Sequence, residues 1–328
     1  MNEEKDIWAI TTFYNPIHYQ SRLENYRQFR QYLQLQLCTI EHSLNGSYEL
    51  EENDADILIH ITSRDLLWQK ERLLNFALTK LPQDAKIIVW LDCDVIFSNK
   101  CWYSELRSSL QKSNVVQCYS ELVDLNKNAD VQDYIGKTIQ PNGISVASIV
   151  KTNAVHLNSS NLINGEIMRS ASPGGAWAAN INFLLKYGFY DAMILGGGDR
   201  LYVYACLGKI EEAINIAHLD ITRADHYRMW AEQIFKVVKG QIGLVEGQLL
   251  HLWHGDIKHR HYLLRHQALN KIHFDPTRDI EVDKSGSWKW TVNASENLKQ
   301  LVTSYFAARS EDGRENAANT TFQIIKDN

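Results

Sequence analysis

Along the first hundred residues the apolar positions alternate between two periods. Ile7-Trp8-Ala9-Ile10-Thr11-Thr12-Phe13 is a nearly continuous apolar run closed by Tyr14-Asn15-Pro16. It predicts a buried strand, because proline cannot extend a central ladder. From about Ser21 to Leu37 the residues Leu23, Tyr26, Phe29, Tyr32 and Leu33 fall at helical spacing. Ile57 to Ile61 returns to the strand pattern. From roughly Asp65 to Lys80, Leu67, Leu74, Leu78 and Leu81 mark one helical stripe, and Lys70, Glu71 and Arg72 crowd the opposite face. Pro82 closes that helix. Ile87 to Leu91, continuing to Phe97, reads as a strand buried on both faces. Strand, helix, strand, helix, strand at this spacing predicts an α/β fold with a mostly parallel, Rossmann-like central sheet flanked by helices.

The pattern weakens from Asn99 to about Ser170, where polar residues dominate without a period; such stretches often form lids or binding loops, here the acceptor side. Trp102 reads as core. Order returns at Ser172-Pro173-Gly174-Gly175-Ala176-Trp177, followed by a helix from Asn180 to Tyr187 that stops at Gly188. Leu195-Gly196-Gly197-Gly198-Asp199-Arg200 leads into an apolar helix, Leu201 to Leu207. Beyond Phe274-Asp275-Pro276, Trp288 and Trp290 are expected to pack back onto the body, and from about Ser310 the chain reads as a flexible tail. One large domain over residues 1–275 is expected, with residues 1–98 binding the nucleotide and residues 99–275 the acceptor, followed by a C-terminal extension over 276–328.

The chain has 328 residues and a formal net charge of -5, which argues against a protein built to hold nucleic acid non-specifically. No window has the length and purity of a transmembrane helix. The start Met1-Asn2-Glu3-Glu4-Lys5-Asp6 is not signal-like, and the five scattered cysteines show no metal-ligand spacing. A cytoplasmic location with reduced thiols is the expectation. Nothing in the pattern sets an oligomeric state.

The candidate chemistry begins with the D-x-D of Asp92-Cys93-Asp94. On a continuous strand both carboxylates point the same way, and two such groups at a buried strand end are costly unless a divalent cation joins them. Oxygen ligands suit Mg2+ or Mn2+. Ligands of parallel sheets sit beyond the carboxyl ends of the strands, which groups Thr11 to Asn15, His60 to Ser63 and Asp92 to Asp94 around one crevice. Three glycines before Asp199 suggest a ligand passing close to the backbone, although Asp is also a favoured N-cap. His251 and His254, three apart and followed by Lys258, Arg260 and Arg265, suggest a cation and phosphate site.

In that order these motifs resemble the metal-dependent GT-A glycosyltransferases, and more nearly the inverting β1,4-galactosyltransferase type. Pro173-Gly174-Gly175-Ala176-Trp177 and Gly197-Gly198-Asp199 match that family's two glycine motifs, and the likeness runs over roughly residues 7 to 265. It implies a GT-A fold and transfer of a hexose or N-acetylhexosamine from a UDP-sugar donor to a glycan or other hydroxyl acceptor. It implies Mn2+ or Mg2+ on Asp94 and His254, with His251 in place of the family's Met and Asp92 reaching the metal or the ribose. Asp199 maps onto the catalytic base, and a single base implies inversion. Thr11, Phe13, Asn15 and Arg22 are the expected nucleoside contacts. Lys258 and Arg72, with Asn75, are expected near the diphosphate, and Gly175, Trp177, Gly198 and Arg200 near the acceptor. Gly198 stands where the family has Glu, and Leu195 where it has Trp. Other readings are a metal-dependent nucleotidyltransferase and a catalytically silent module that binds sugar nucleotides or glycans. A nucleotidyltransferase usually carries a glycine-rich basic loop after its first strand, and Tyr14-Asn15-Pro16-Ile17-His18 is not one.

Overall fold

A computed structural model describes residues 5–156, 170–262 and 264–313. The strands are β1 (Ile7–Tyr14), β2 (Gln36–Ser43), β3 (Ile57–Thr62), β4 (Ile87–Leu91), β5 (Val95–Phe97), β6 (Val115–Gln117), β7 (Glu121–Asp124), β8 (Gly143–Ile144), β9 (Ala176–Asn180), β10 (Ile242–Leu244), β11 (Gln248–His251), β12 (Ile280–Val282) and β13 (Trp288–Trp290). The helices are α1 (Gln20–Tyr32), α2 (Lys70–Leu78), α3 (Leu106–Leu110), α4 (Val146–His156), α5 (Ile181–Tyr187), α6 (Gly198–Cys206), α7 (Ile210–Ile216), α8 (Ile221–Val238), α9 (Leu264–Ile272), α10 (Pro276–Asp279) and α11 (Glu296–Ala308).

A mixed, mostly parallel sheet of seven strands runs in the order β10-β6-β9-β4-β1-β2-β3, and helices flank it. Only β9 runs against its neighbours, pairing antiparallel with both β4 and β6. The predicted α/β architecture is therefore present, with one reversed strand in the middle. Apolar residues of β1 and β4 alternate between the two faces. Trp8, Ile10, Ile88 and Trp90 pack into one core layer, and Ile7, Ala9, Ile87 and Val89 into the other.

Several elements differ from the sequence expectation. The first helix ends at Tyr32, because Leu33 turns to extended backbone. Residues 36–43 form β2, whose polar residues Thr39, Glu41, His42 and Ser43 are buried like the apolar ones. Helix α2 begins at Lys70, five residues later than expected. The strand at Ile87 stops at Leu91, and Asp92 to Asp94 make a turn. After the turn the chain enters β5, in a second sheet of order β5-β11-β7-β8. The stretch without periodicity carries β6, β7, β8, α3 and α4; its strands are too short to show a period. Trp102 is core, stacked on Phe97.

At the chain end, β12, β13 and α11 pack against Tyr14, Leu67 and Leu195. Trp288 donates from Nε1 to the Asp191 carbonyl. The expected flexible tail does not begin at Ser310: Ser310 and Glu311 are buried, and the Asp312 carboxylate accepts from the first backbone amides of α1, Gln20 and Ser21. Residues 314–328 lie outside the described residues.

Candidate active site

The topology fixes where chemistry-bearing side chains meet. Strand β9 pairs with β4 so that Leu91 faces Ala176, and the Asp92 amide donates to the Gly175 carbonyl at 2.9 Å. The Gly174-Gly175 turn thus lies directly against the D-x-D turn. Gly175 has φ +86°, and a Cβ there would meet Leu249 Cδ2 at 2.8 Å, so only glycine fits the crossing. Strand β11 pairs antiparallel with β5 and parallel with β7, which sets His251 opposite Val95 on one side and Asp124 on the other. The Leu252 amide donates to the Asp94 carbonyl at 2.8 Å, so residues 251–254 follow the D-x-D turn closely. Gly196 and Gly197, both at positive φ, bend the chain into α6 and bring Asp199 to its first turn.

These turns enclose a cavity of about 540 Å³ lined by residues of all four motifs, including Asp92, Asp94, Gly174, Gly175, Asp199, His251 and His254. Six basic side chains line it (Arg22, Lys70, Arg200, Arg260, Arg265, Arg309) against four acidic ones (Asp92, Asp94, Asp199, Glu311). The excess is positive inside a chain that is negative as a whole, which suits an anionic ligand.

The two aspartates of the D-x-D have different partners, contrary to the shared metal expected of them. Asp92 is taken by Lys70 (Oδ1 to Nζ, 2.5 Å) and by the Gly175 amide (3.1 Å). The turn at 92–94 separates the carboxylates, where a continuous strand would have aligned them. Asp94 faces His254 (Oδ2 to Nε2, 3.5 Å) and His251 (Oδ1 to Nε2, 3.9 Å). Asp94 Oδ1 is buried with no hydrogen-bond partner, and the His251 and His254 Nε2 atoms lie 2.8 Å apart. Among the described residues, Asp94, His251 and His254 form a group able to hold a metal ion, their ligand atoms within 4.8 Å of one another. One oxygen and two imidazole nitrogens are a donor set for a first-row divalent transition metal more than for Mg2+.

The hydrogen bonds separate the two histidines. The His251 ring is bonded through Nδ1 to Asp124 Oδ1 at 2.7 Å, which leaves the Nε2 lone pair facing Asp94. Burial lowers the His251 pKa most, but the bond to Asp124 and the charge of Asp94 outweigh it and raise the pKa. His254 Nδ1 meets the Arg260 guanidinium, which can only donate. A neutral His254 then carries its proton on Nε2 and gives it to His251. The Arg260 guanidinium also donates to the His254 carbonyl at 2.7 Å, which fixes the His254 ring beside His251.

Lys70 stands between Asp92 and Asp199, its Nζ 3.0 and 2.9 Å from the two Asp199 oxygens. Burial pulls the Lys70 pKa down, but the two carboxylates hold it well above the usual lysine range. Burial raises the Asp199 pKa; Lys70 opposes the rise and Asp92 adds to it. Beside them Glu71 lies against Gly198, accepting from Trp68 Nε1 at 3.1 Å. Burial lifts its carboxyl to about 8, against the pull of Lys70 and with the help of Asp199. Helical spacing alone puts Lys70 and Glu71 on a solvated face; their counter-charges arrive from residue 199, and no local pattern announces them.

Other expected contacts fall apart. Thr11 lines the cavity and donates to the Leu91 carbonyl, and Asn15 lines it with its amide given to Tyr19 and Glu49. Phe13 is buried against Tyr26 and is no nucleoside platform, because the strand alternation turns it into the core. Arg22 lines the cavity but is held by Glu311. Arg72 and Asn75 bind Asp191 away from the cavity. Lys258 is exposed beside Asp256 and outside the cavity lining; Arg260, two residues on, takes the inward position. Trp177 is core, stacked on Trp90, with Nε1 on the Pro173 carbonyl. Gly198 sits beneath the cavity, where a Cβ would fall 2.3 Å from Glu71 Oε1. Gly175 and Arg200, expected near the acceptor, line the cavity. His60 to Ser63 do not, since edge strand β3 is separated from β4 by β2 and β1.

No protein-family model and no curated protein matches the chain. Among solved structures it is similar to S. aureus TarS 1-349 in complex with UDP-GlcNAc, with 11% identity over 75% of this chain and 58% of that one, at a TM-score of 0.37. A second TarS structure is matched over 43% of its length, so the chain spans about half of these two relatives. The mannosyltransferase PcManGT from Pyrobaculum calidifontis, in complex with GDP-Man and Mn2+, is similar at 11% identity over 98% of this chain and 73% of that one, TM-score 0.37. The 4-diphosphocytidyl-2C-methyl-D-erythritol synthase of Anaerococcus prevotii is similar at 11% identity over 75% of this chain and 88% of that one, TM-score 0.30.

Proposed function

We propose that the protein is a glycosyltransferase that moves a hexose or N-acetylhexosamine from a UDP-sugar to an acceptor hydroxyl, with inversion. One observation carries the reading: Asp92, Asp94, Asp199, His251 and His254, drawn from separate stretches of the chain, line one cavity of about 540 Å³. That volume suits a nucleotide-sized ligand. Asp94, His251 and His254 would hold Mn2+, which when bound supplies positive charge to a departing diphosphate.

The remaining work falls to side chains. Asp199 takes the acceptor proton as that oxygen bonds to the anomeric carbon and the bond from that carbon to the phosphate oxygen breaks. The raised pKa of Asp199 makes it a stronger base than an exposed aspartate. Lys70 fixes Asp92 and Asp199 side by side. Arg260 and Arg22 give the cavity its positive wall. The backbone at Gly174-Gly175 can pass close to the sugar, because a side chain at Gly174 would crowd Asp199 and Asp92.

The experiment is a donor screen: UDP-glucose, UDP-galactose and their N-acetyl forms, each with and without Mn2+, scored for UDP release. Asp199→Asn should lower turnover about 10²- to 10⁴-fold while UDP still binds. Undiminished transfer removes Asp199 from the role of base. A binding module without turnover is the second reading, favoured by the contact of Lys70 with both Asp199 oxygens. UDP binding with no release from any donor and acceptor pair would select it.

A further inference from the structure

Glu311 is only 1% exposed and is surrounded by three arginines. Arg22 grips it with two parallel bonds, Nε to Oε2 at 2.9 Å and Nη2 to Oε1 at 2.8 Å. Arg309 Nε reaches Oε1 at 2.6 Å, and Arg260 Nη1 lies 3.4 Å from it. All four residues line the cavity that holds the D-x-D. One carboxylate leaves three guanidinium groups short of negative charge. The two-pronged geometry of Arg22 is also the geometry that grips phosphate oxygens.

The carboxylate does not belong to the body of the sheet. It comes from the short segment after α11, and that segment is held by polar contacts. Asp312 caps α1, the Lys127 ammonium binds the Asp312 carbonyl, and the Ser310 amide donates to Tyr19 Oη. Ser310 has φ +47°, a strained conformation for a residue with a side chain. Arg309 is anchored separately, over the Trp68 ring and on Tyr305 Oη, so the bend at Ser310 divides a fixed arginine from a carried glutamate. Gly255, at φ +92°, lets the segment cross the histidine loop; a Cβ there would fall 3.0 Å from Glu311 Cα. Segments with few apolar anchors open at the smallest free-energy cost.

We propose that Arg22, Arg260 and Arg309 form a binding site for a diphosphate, and that Glu311 is a built-in occupant which the diphosphate displaces. The site for the dianion stands on these contacts alone; that the dianion belongs to a nucleotide sugar rests on the glycosyltransferase reading above. The segment 310–313 then swings out as ligand enters and closes the cavity when it is empty.

The test uses the full chain, inorganic pyrophosphate and a chelating buffer, so that neither sugar nor metal takes part. Glu311→Gln should bind pyrophosphate at least about tenfold tighter than the wild type by calorimetry, since each 1.4 kcal/mol is tenfold. In the wild type, pyrophosphate should speed hydrogen exchange at residues 310–313 and at the Gln20 and Ser21 amides. UDP should do the same and uridine should not. Equal or weaker binding by Glu311→Gln overturns the proposal. If that variant does not fold, the wild-type exchange decides: unchanged or slower exchange at 310–313 means that Glu311 is a fixed structural partner. Pyrophosphate-driven opening in a protein that releases UDP from no donor would keep this site and discard the transferase reading.

Discussion

A methyl group at Gly198 would fall 2.3 Å from the Glu71 carboxylate, so the glycine that precedes Asp199 is there to admit an acid from another helix. Glu71 has one oxygen on Trp68 and the other buried without a partner. Its raised pKa has a measurable consequence. In the unfolded chain it titrates as an ordinary glutamate; in the fold it keeps its proton up to about 8. Between those values the folded state binds more protons than the unfolded state, so this residue makes stability fall as pH rises through the window. Glu71→Gln mimics the protonated form and should flatten that fall. Urea midpoints of the two proteins, compared from about pH 5 to about pH 9, check it; identical slopes would show that Glu71 is ionised throughout.

At the scale of elements, register does the positioning. The parallel pairing of β7 with β11 puts Asp124 across from His251, and the antiparallel pairing of β5 with β11 puts His251 beside the D-x-D. Asp124 never faces the cavity, yet it orients the His251 ring. Asp124→Asn should lower Mn2+ affinity about 10- to 100-fold by calorimetry, without unfolding the protein. An unchanged affinity would mean that His251 is not a ligand. Strands β1, β3 and β4 could be read from the sequence because they are apolar runs. Strand β2 could not, because its buried polar residues are satisfied by distant partners: Glu41 by the Glu49 and Leu50 amides, His42 by Ser63, and Thr39 by Tyr26. The same cause hid Lys70 and Glu311. Asp92, Asp94, Asp199, His251 and His254, which line one cavity, could be picked out because a paired acid, a triple glycine and two histidines three apart stand out from their surroundings, although the pattern put the two aspartates on a strand and not in a turn. Phe13, Arg72, Trp177 and Lys258 were misplaced because residue type alone does not say which way a side chain faces.

For the molecule as a whole, the last described residues are tied back to the start of α1. The Asp312 carboxylate takes the first amides of α1, where a negative group also favours the helix dipole, and Tyr19 receives the Ser310 amide. Asp312→Ala should cost about 0.5–1 kcal/mol in urea unfolding at low ionic strength. A loss of zero would mean that water replaces the carboxylate without penalty.

The reversed strand bears on how the protein is made. On a growing polypeptide β4 and β6 are synthesised long before β9, yet neither has its full set of partners until β9 slides between them. A nascent chain halted before residue 176 would expose one edge of β4 and both edges of β6, since β10 is also still to come, and such edges are the kind of surface that chaperones cover and that aggregates nucleate on. Insertion of β9 also delivers the Gly174-Gly175 turn to the D-x-D. The cavity is completed later still, because β10, the other partner of β6, and the lining residues His251 and His254 all follow β9 in the chain, so a ribosome-bound intermediate would acquire its ligand only once those residues have emerged.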